Sequence, residues 1–302
     1  MLNVALGSIV AIVIALTARH FAVHGWPLRS ANAGLVAAAS VLFLAAFAFK
    51  AFGWRRVFAL NKPSSHALAA ATGAASVTGV ALPGRFDDVV RVAVVRRFRS
   101  SRAGIGAICL SIAIVGFLDS AALTPLASVA AGMTHVPASL RAGLALVAGA
   151  GLAAALIVVA MPRLGRSARL GRFRIVGWLG EYSACTREAS KAWVLISVSW
   201  SLRAVALFLL LAALGVSHSF VLALLFLCAS AASAALPVAP AGAATQAGAG
   251  AAALALSGIA PSEAIAFAIS AQALFVLTAI AAVVLAGAWE AGRRMRPASI
   301  PV

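Results

Sequence analysis

Charge is scarce in this sequence. Only 10% of the 302 residues are charged and only seven are acidic, whereas a soluble domain carries about 25% charged residues. The three cysteines, Cys109, Cys185 and Cys228, lie far apart and show no CxxC or metal-ligand spacing. No Ser-His-Asp set, Walker loop, dinucleotide fingerprint or HExxH pair is present. These absences argue against a soluble enzyme, and no catalytic residue, metal or cofactor is predicted.

Apolar residues, by contrast, make up 63% of the chain, and its mean hydropathy is +1.05. Apolar segments lie near 2–19, 33–52, 66–83, 103–131, 139–161, 192–214, 218–236 and 262–289. Spans of about 20 apolar residues are typical of membrane helices, so the sequence predicts an all-α polytopic membrane protein. The formal charge of +17 is then interpreted as topology signals and contacts with anionic lipid, and not as a nucleic-acid surface.

The positions of Lys and Arg indicate which segments cross the membrane. Basic clusters lie at 50–65 (Lys50, Arg55, Arg56, Lys62), 85–102, 162–191 and the C-terminus. If all eight segments crossed, the basic residues would divide 15 against 8. If 66–99 and 218–257 each enter and leave by one side, the division is twenty against three, as the positive-inside rule expects. The sequence therefore predicts about six full spans plus two re-entrant helical hairpins, with both termini in the cytoplasm.

This layout also indicates an inverted repeat within a single transmembrane domain, residues 1–302. The halves 1–132 and 133–302 each have the order span, span, hairpin, span, and they start in opposite orientations. The two predicted hairpins break at similar four-residue sequences, Ala81-Leu82-Pro83-Gly84 and Ala235-Leu236-Pro237-Val238. Chance similarity between Ala-rich stretches is the alternative. An inverted repeat places the substrate site near the midplane, where the broken helices meet.

The first break has the features of an anion site. Pro83 lacks an N–H and Gly84 permits unusual backbone angles, so the following limb begins with free amide donors. Those donors, the helix dipole and Arg85 together suit a phosphate.

The limb after this break is amphipathic. Asp88 and Arg91 follow at helical spacing, while Phe86 and Val89 take the opposite side. One side would face protein or lipid and the other water or headgroups. The alternative is a helix lying on the cytoplasmic surface, with Asp87 and Arg91 as a solvated i,i+4 pair.

The second break, around Pro237, Pro240 and Gly242, is almost uncharged. Its polar side chains are Thr245 and Gln246. Backbone groups freed by such a break must be satisfied by neighbours or by a wet cavity, so a binding role and a structural kink are both open interpretations.

Two ionisable residues, Asp119 and Arg203, lie deep within predicted spans. Each is costly alone in hydrocarbon and needs a partner or a cavity. We hypothesise that they pair, or that they line one cavity with Arg85. Snorkelling of Arg203 along its helix is the alternative.

Both breaks resemble signatures of the lysylphosphatidylglycerol synthase transmembrane family of flippase-like membrane proteins. The first signature is roughly Leu-Pro-Gly-Arg-x-x-Glu-x-x-Arg, and its counterparts here are Leu82, Pro83, Gly84, Arg85, Asp88 (Asp for Glu) and Arg91. The second usually reads Pro-Gly-Gly-x-Gly-x-x-Glu. Here it begins at Pro240, and Ala247 occupies the Glu position with Gln246 beside it.

The resemblance implies an integral protein of the bacterial inner membrane that moves or handles lipids. The expected substrate is an anionic lipid, a phospholipid or a polyprenyl phosphate, bound by Arg85, Arg91 and the amides after Pro83. Some family members carry an aminoacyl-transferring domain, for which these residues leave no room, so that activity is not expected. The alternatives are a membrane-embedded enzyme of lipid-linked sugar or phospholipid metabolism, and a non-transporting partner in an envelope-assembly complex.

Overall fold

The structure is a computed structural model that describes residues 28, 30–81, 86–98, 102–133, 137–165, 185–234 and 242–295. Within these ranges the chain forms nine α-helices. They are α1 (Ala33–Val57), α2 (Ser65–Ala81), α3 (Phe86–Arg97), α4 (Ile105–Gly132), α5 (Ala138–Gly165), α6 (Thr186–Ala213), α7 (Phe220–Ala234), α8 (Gly242–Leu256) and α9 (Pro261–Met295).

Five of these helices are long and apolar enough to cross a membrane, namely α1, α4, α5, α6 and α9. This confirms the prediction of an all-α polytopic membrane protein. The sixth predicted span, 2–19, lies outside the described residues, as do the centres of the two predicted breaks, 82–85 and 235–241.

Local sequence sets several of the helix ends. The Asn32 side chain caps α1 by accepting hydrogen bonds from two backbone N–H groups in its first turn, as N-cap residues do. Gly215 ends α6 with a φ of 69°, and the N–H of Val216 donates to the carbonyl of Leu211 (3.1 Å). Gly258, with a φ of 94°, ends α8 in the same way. Both are left-handed C-terminal turns, for which glycine carries no steric penalty.

The centre of the fold is the antiparallel pair of α1 and α6. Three hydrogen bonds mark its register: Asn32 N–H to Ala213 O (3.1 Å), Ser199 Oγ to Ala46 O (2.8 Å), and Arg56 Nη1 to Glu188 Oε2 (3.1 Å). These contacts join the two helices along their whole length. We refer to the two ends of the bundle as the Asn32 end and the Arg56 end.

The paired helices α2 and α3 start from the Arg56 end and reach only partway through the bundle. α2 runs antiparallel to α9: the His66 ring stacks on Trp289 (5.2 Å between centroids), and Gly73 lies against the Ala279 carbonyl. Near its other end, α2 lines a cavity together with Gln272 of α9. From Gln272, α9 continues away from the Arg56 end for about 16 Å, as far as Pro261, so α2 lies along only part of α9. α3 packs back along α2.

The helices α7 and α8 form a second antiparallel pair at the opposite end. α7 begins after the Gly215 turn, at the Asn32 end, and Ser230 Oγ donates to the carbonyl of Gln246 in α8 (2.9 Å). Phe226, which precedes Ser230 by four residues in α7, packs against Gly250, which follows Gln246 by four residues in α8. The two helices are therefore antiparallel. Each of these helices has 15 residues and is about 22 Å long, less than the ~30 Å hydrocarbon core of a bilayer.

Close backbone approach also defines the α4–α5 pair. Thr124 Oγ1 donates to the carbonyl of Ala148 (3.3 Å), and a Cβ atom at Gly151 would collide with the Ser120 carbonyl and with Thr124 Oγ1. Small residues at such crossings are typical of helix packing in lipid. At Gly149, on the same helix, a Cβ atom would meet nothing within 4 Å.

We therefore expect Gly151→Leu to destabilise the protein by roughly 1–3 kcal/mol, the usual cost of overpacking, while Gly149→Leu has little effect. The measurement is the thermal unfolding midpoint of each variant in detergent. Equal midpoints for the two variants would contradict the α4–α5 packing.

Candidate functional site

A cavity of about 340 Å³ lies where the two short helix pairs meet. Its polar wall is formed by both pairs, with Thr72, Ser76 and Gly79 from α2, Asp87 and Arg91 from α3, Ser230 from α7 and Gln246 from α8. The spans contribute Lys50, Asp119, Trp200, Arg203 and Gln272. Within the described ranges, no group of three or more His, Cys, Asp and Glu side chains is arranged to hold a metal ion.

Both carboxylate oxygens of Asp119 have a hydrogen-bond partner at one side of this cavity. Its Oδ2 atom lies 2.7 Å from Nζ of Lys50, and its Oδ1 atom accepts a hydrogen bond from Nε1 of Trp200 (2.9 Å). The Lys50 and Asp119 side chains are only 11% and 20% exposed. A carboxylate buried this deeply requires such partners, and here they join α4 to α1 and α6.

Arg203 has a different environment. Its guanidinium carbon lies 4.9 Å from the Trp200 ring centroid, 5.1 Å from that of Phe275 and 5.7 Å from that of Phe47. Cation–π contacts of this kind stabilise an arginine without supplying a hydrogen-bond acceptor. The Nε atom is buried and has no hydrogen-bond partner within the described ranges.

The hypothesised direct pair between Asp119 and Arg203 is not among the ion pairs of the described residues. Lys50 and Trp200 occupy the two Asp119 oxygens, and Arg203 stacks on aromatic rings instead. The two residues nevertheless line the same cavity.

The first half of the helix α3 turns charged side chains toward the cavity. Arg91 pairs with Asp87 (3.2 Å) and Asp88 (2.6 Å), and Arg91 and Asp87 line the cavity. On the opposite side, Phe86 is 55% exposed and Val89 is 63% exposed. A helix lying on a membrane surface would direct its charged side to water and its apolar side to the bilayer, away from any protein cavity. The orientation of α3 therefore disfavours the surface-helix alternative.

Other predicted site residues have varied positions. Gln246 lines the cavity, its neighbour Thr245 is half-buried on α8 without lining it, and Gly242 begins α8. Five lie outside the described residues: Pro83, Gly84, Arg85, Pro237 and Pro240.

Lys50 is the main site residue that the sequence analysis missed. It was counted only as a topology signal in the basic cluster 50–65, although it falls within the apolar segment 33–52, and the structure places it inside α1, which continues to Val57. The helix persists because its next turn is buried: Trp54 is 2% exposed, and its Nε1 donates to Ser111 Oγ of α4 (2.8 Å). A lysine four residues before a tryptophan in an apolar segment was the available signal.

Trp200 was also missed, although its spacing points to it. It precedes Arg203 by three residues, so the two side chains lie on one face of α6.

We expect the Lys50–Asp119 pair to behave as a coupled unit in stability measurements. Lys50→Met or Asp119→Leu alone leaves a buried charge unpaired and should cost about 3–5 kcal/mol, while the double variant should recover part of that loss. The measurement is a double-mutant cycle of thermal unfolding in detergent. The exposed pair Lys191–Glu188 is the control, with a coupling below about 1 kcal/mol. Additive losses at Lys50 and Asp119 would contradict the pairing.

Comparison with known proteins identifies the family to which this chain belongs. The sequence profile described as "Lysylphosphatidylglycerol synthase TM region" matches residues 2–288. No curated protein matches the chain, and no solved structure does so. The match covers nearly the whole sequence, including both breaks, and confirms the resemblance drawn from the motifs. The chain therefore belongs to the family of the lysylphosphatidylglycerol synthase TM region.

Proposed function

We propose that this protein is a flippase-like lipid transporter that binds an anionic lipid headgroup in the cavity between its two short helix pairs. The observation that carries the proposal is Arg203, a half-buried cation in a polar cavity whose buried Nε atom has no hydrogen-bond partner among the residues that the structure describes. Leaving a buried charged group without a hydrogen bond costs free energy, and an anionic ligand would recover it. A phosphate is well suited, because guanidinium and phosphate form strong paired hydrogen bonds.

The cavity walls suit a polar headgroup in transit. Thr72, Ser76 and Ser230 offer hydroxyl groups, and Gln246 and Gln272 offer amides. Neutral donors and acceptors of this kind replace the water shell of a headgroup without holding it permanently. The acyl or prenyl tails would remain in the bilayer beside the bundle.

We interpret the pairs α2–α3 and α7–α8 as the two re-entrant hairpins. α2, α7 and α8 have 17, 15 and 15 residues, fewer than the about 20 of a typical membrane span, and the pairs start from opposite ends of the bundle. The exposed Phe86 and Val89 on α3 fit contact with lipid tails, while its charged side faces the cavity. Described residues on either side of the two predicted breaks, Gly79 and Asp87 in one pair and Ser230 and Gln246 in the other, line the cavity.

The packing also supports an inverted repeat of the halves 1–132 and 133–302. Exchanging α1 with α6, α2 with α7, α3 with α8, and α4 with α9 maps most helix contacts onto one another. For example, α2 packs against α9 as α7 packs against α4, and α1 packs against α2 as α6 packs against α7. Transporters with such repeats bind substrate at the interface of the two halves.

We place the Arg56 end in the cytoplasm of a bacterial cell, so that the protein lies in the inner membrane. Basic residues gather at this end, among them Arg55, Arg56, Lys62, Arg187 and Lys191, while Arg141 lies at the Asn32 end. The positive-inside rule favours this orientation, which puts the end of α9 on the cytoplasmic side. The N-terminus lies on the same side if segment 2–19 spans the membrane, as the sequence predicts.

Arg203→Gln should slow headgroup translocation at least tenfold, since a charge-assisted hydrogen bond contributes about 1.5–3 kcal/mol. The assay follows fluorescently labelled phosphatidylglycerol in proteoliposomes, with labelled phosphatidylcholine as the lipid without net charge. The matched control is Arg96→Gln, an exposed arginine of α3, which should transport at the wild-type rate. Wild-type transport by a folded Arg203→Gln variant would contradict the proposal. Chemical conversion of the lipid would favour the membrane-embedded enzyme instead.

A further inference from the structure

We propose that Asp119 is an internal counter-anion: it holds Lys50 while the site is empty, and the phosphate of the incoming headgroup displaces it. This inference rests on the proposed function. It concerns how the site releases its ligand, and it identifies Lys50 as the second cation that binds the phosphate.

The charges around the cavity are paired unevenly. Arg91 has two carboxylate partners, Asp87 and Asp88, and Lys50 has one, Asp119. Arg203 forms no ion pair within 4.0 Å among the described residues and stacks on three rings. Among the described residues, a phosphate entering the cavity therefore meets Arg203 without an ion-pair partner, and it gains Lys50 as a second cation only if Lys50 leaves Asp119.

The positions of the two cations make such an exchange short-range. Nζ of Lys50 lies 5.9 Å from the centroid of the Trp200 ring, and the guanidinium carbon of Arg203 lies 4.9 Å from it. The same indole donates its N–H to Asp119. Lys50, Asp119 and Arg203 thus surround one tryptophan, and Lys50 need only change its direction at the cavity surface to exchange one anion for another.

The exchange also solves a problem inherent in transport. A phosphate held by two desolvated cations would bind too tightly to leave, since electrostatic attraction is strong where water is excluded. A carboxylate already in place competes for Lys50 and weakens binding. Ion channels require the same balance: a site must attract the ion enough for it to enter and bind it weakly enough for it to leave.

Removal of the competing charge should therefore strengthen binding and slow transport. Asp119→Asn keeps the shape of the side chain and an acceptor for Trp200 but removes its charge. We expect the Kd for dioctanoyl phosphatidylglycerol, measured by isothermal titration calorimetry in detergent, to fall about tenfold, and translocation of labelled phosphatidylglycerol to slow about tenfold. Glu188→Gln, which removes a carboxylate paired with Arg56 and Lys191 outside the cavity, should change neither quantity.

Two further variants test the role of Lys50. Lys50→Met combined with Asp119→Asn should abolish the gain in affinity, because the gain comes from the freed ammonium. Lys50→Gln alone should weaken binding, and it serves as the test if Asp119→Asn fails to fold. An unchanged Kd in Lys50→Gln, or a gain that survives the double substitution, would overturn the inference.

The outcomes separate this inference from the proposed function. A wild-type protein that binds no phosphatidylglycerol overturns the lipid-binding function and the displacement with it. A wild-type protein that binds it, with an Asp119→Asn variant that binds more weakly or transports faster, overturns the displacement alone. Inorganic phosphate is titrated in parallel, and binding of phosphate as tight as that of the lipid would assign the site to a soluble anion and overturn the lipid function.

Discussion

Compensation of buried charge is the constraint on which this structure depends. In lipid, apolar side chains gain little by meeting one another instead of acyl chains, so apolar packing alone specifies helix positions weakly. Charges are different, because each one left uncompensated in hydrocarbon is costly. Asp119 binds Lys50 and Trp200, and by doing so it fixes the relative rotation of three helices, α4, α1 and α6. The cavity exists where these compensated groups face one another.

The same constraint gives the three basic residues of the cavity distinct chemical characters. Arg91 is neutralised by two aspartates of its own helix, which suits a structural role in α3. Lys50 has a single anionic partner from another helix. Arg203 is stabilised by aromatic faces, which favour a cation without consuming its hydrogen-bond donors. Arg91, Lys50 and Arg203 therefore differ in how readily each could bind a ligand, although all three have the same formal charge.

Much of this arrangement was predictable from sequence. The apolar segments predicted the five spans that the structure describes, and the cost of burial singled out Asp119 and Arg203. The partners of these residues were not predictable, because they depend on how each helix is rotated against its neighbours. Lys50 was counted only as a topology signal, because its partner Asp119 lies 69 positions away in the sequence. The turn that follows it is buried against α4, where Trp54 donates a hydrogen bond to Ser111.

The orientation of α3 shows a related limit. Its spacing predicted two faces, and the structure shows which one meets the protein interior. An amphipathic period is the same whether the polar side faces water, headgroups or a cavity, so the choice depends on tertiary contacts such as the buried Val95.

The glycine crossings have a mechanical consequence. Where Gly73 meets the Ala279 carbonyl and Gly151 meets the Ser120 carbonyl, the backbones approach closely, and the side chains beside them, Val283 and Thr124, are short and β-branched, so they can absorb little displacement. The pairs α2–α9 and α4–α5 should then move as rigid bodies. The contact between α3 and α4, by comparison, is sparse. Any hinge motion that opened the cavity sideways would therefore be confined to loosely packed helix contacts, and the contact between α3 and α4 is one of these.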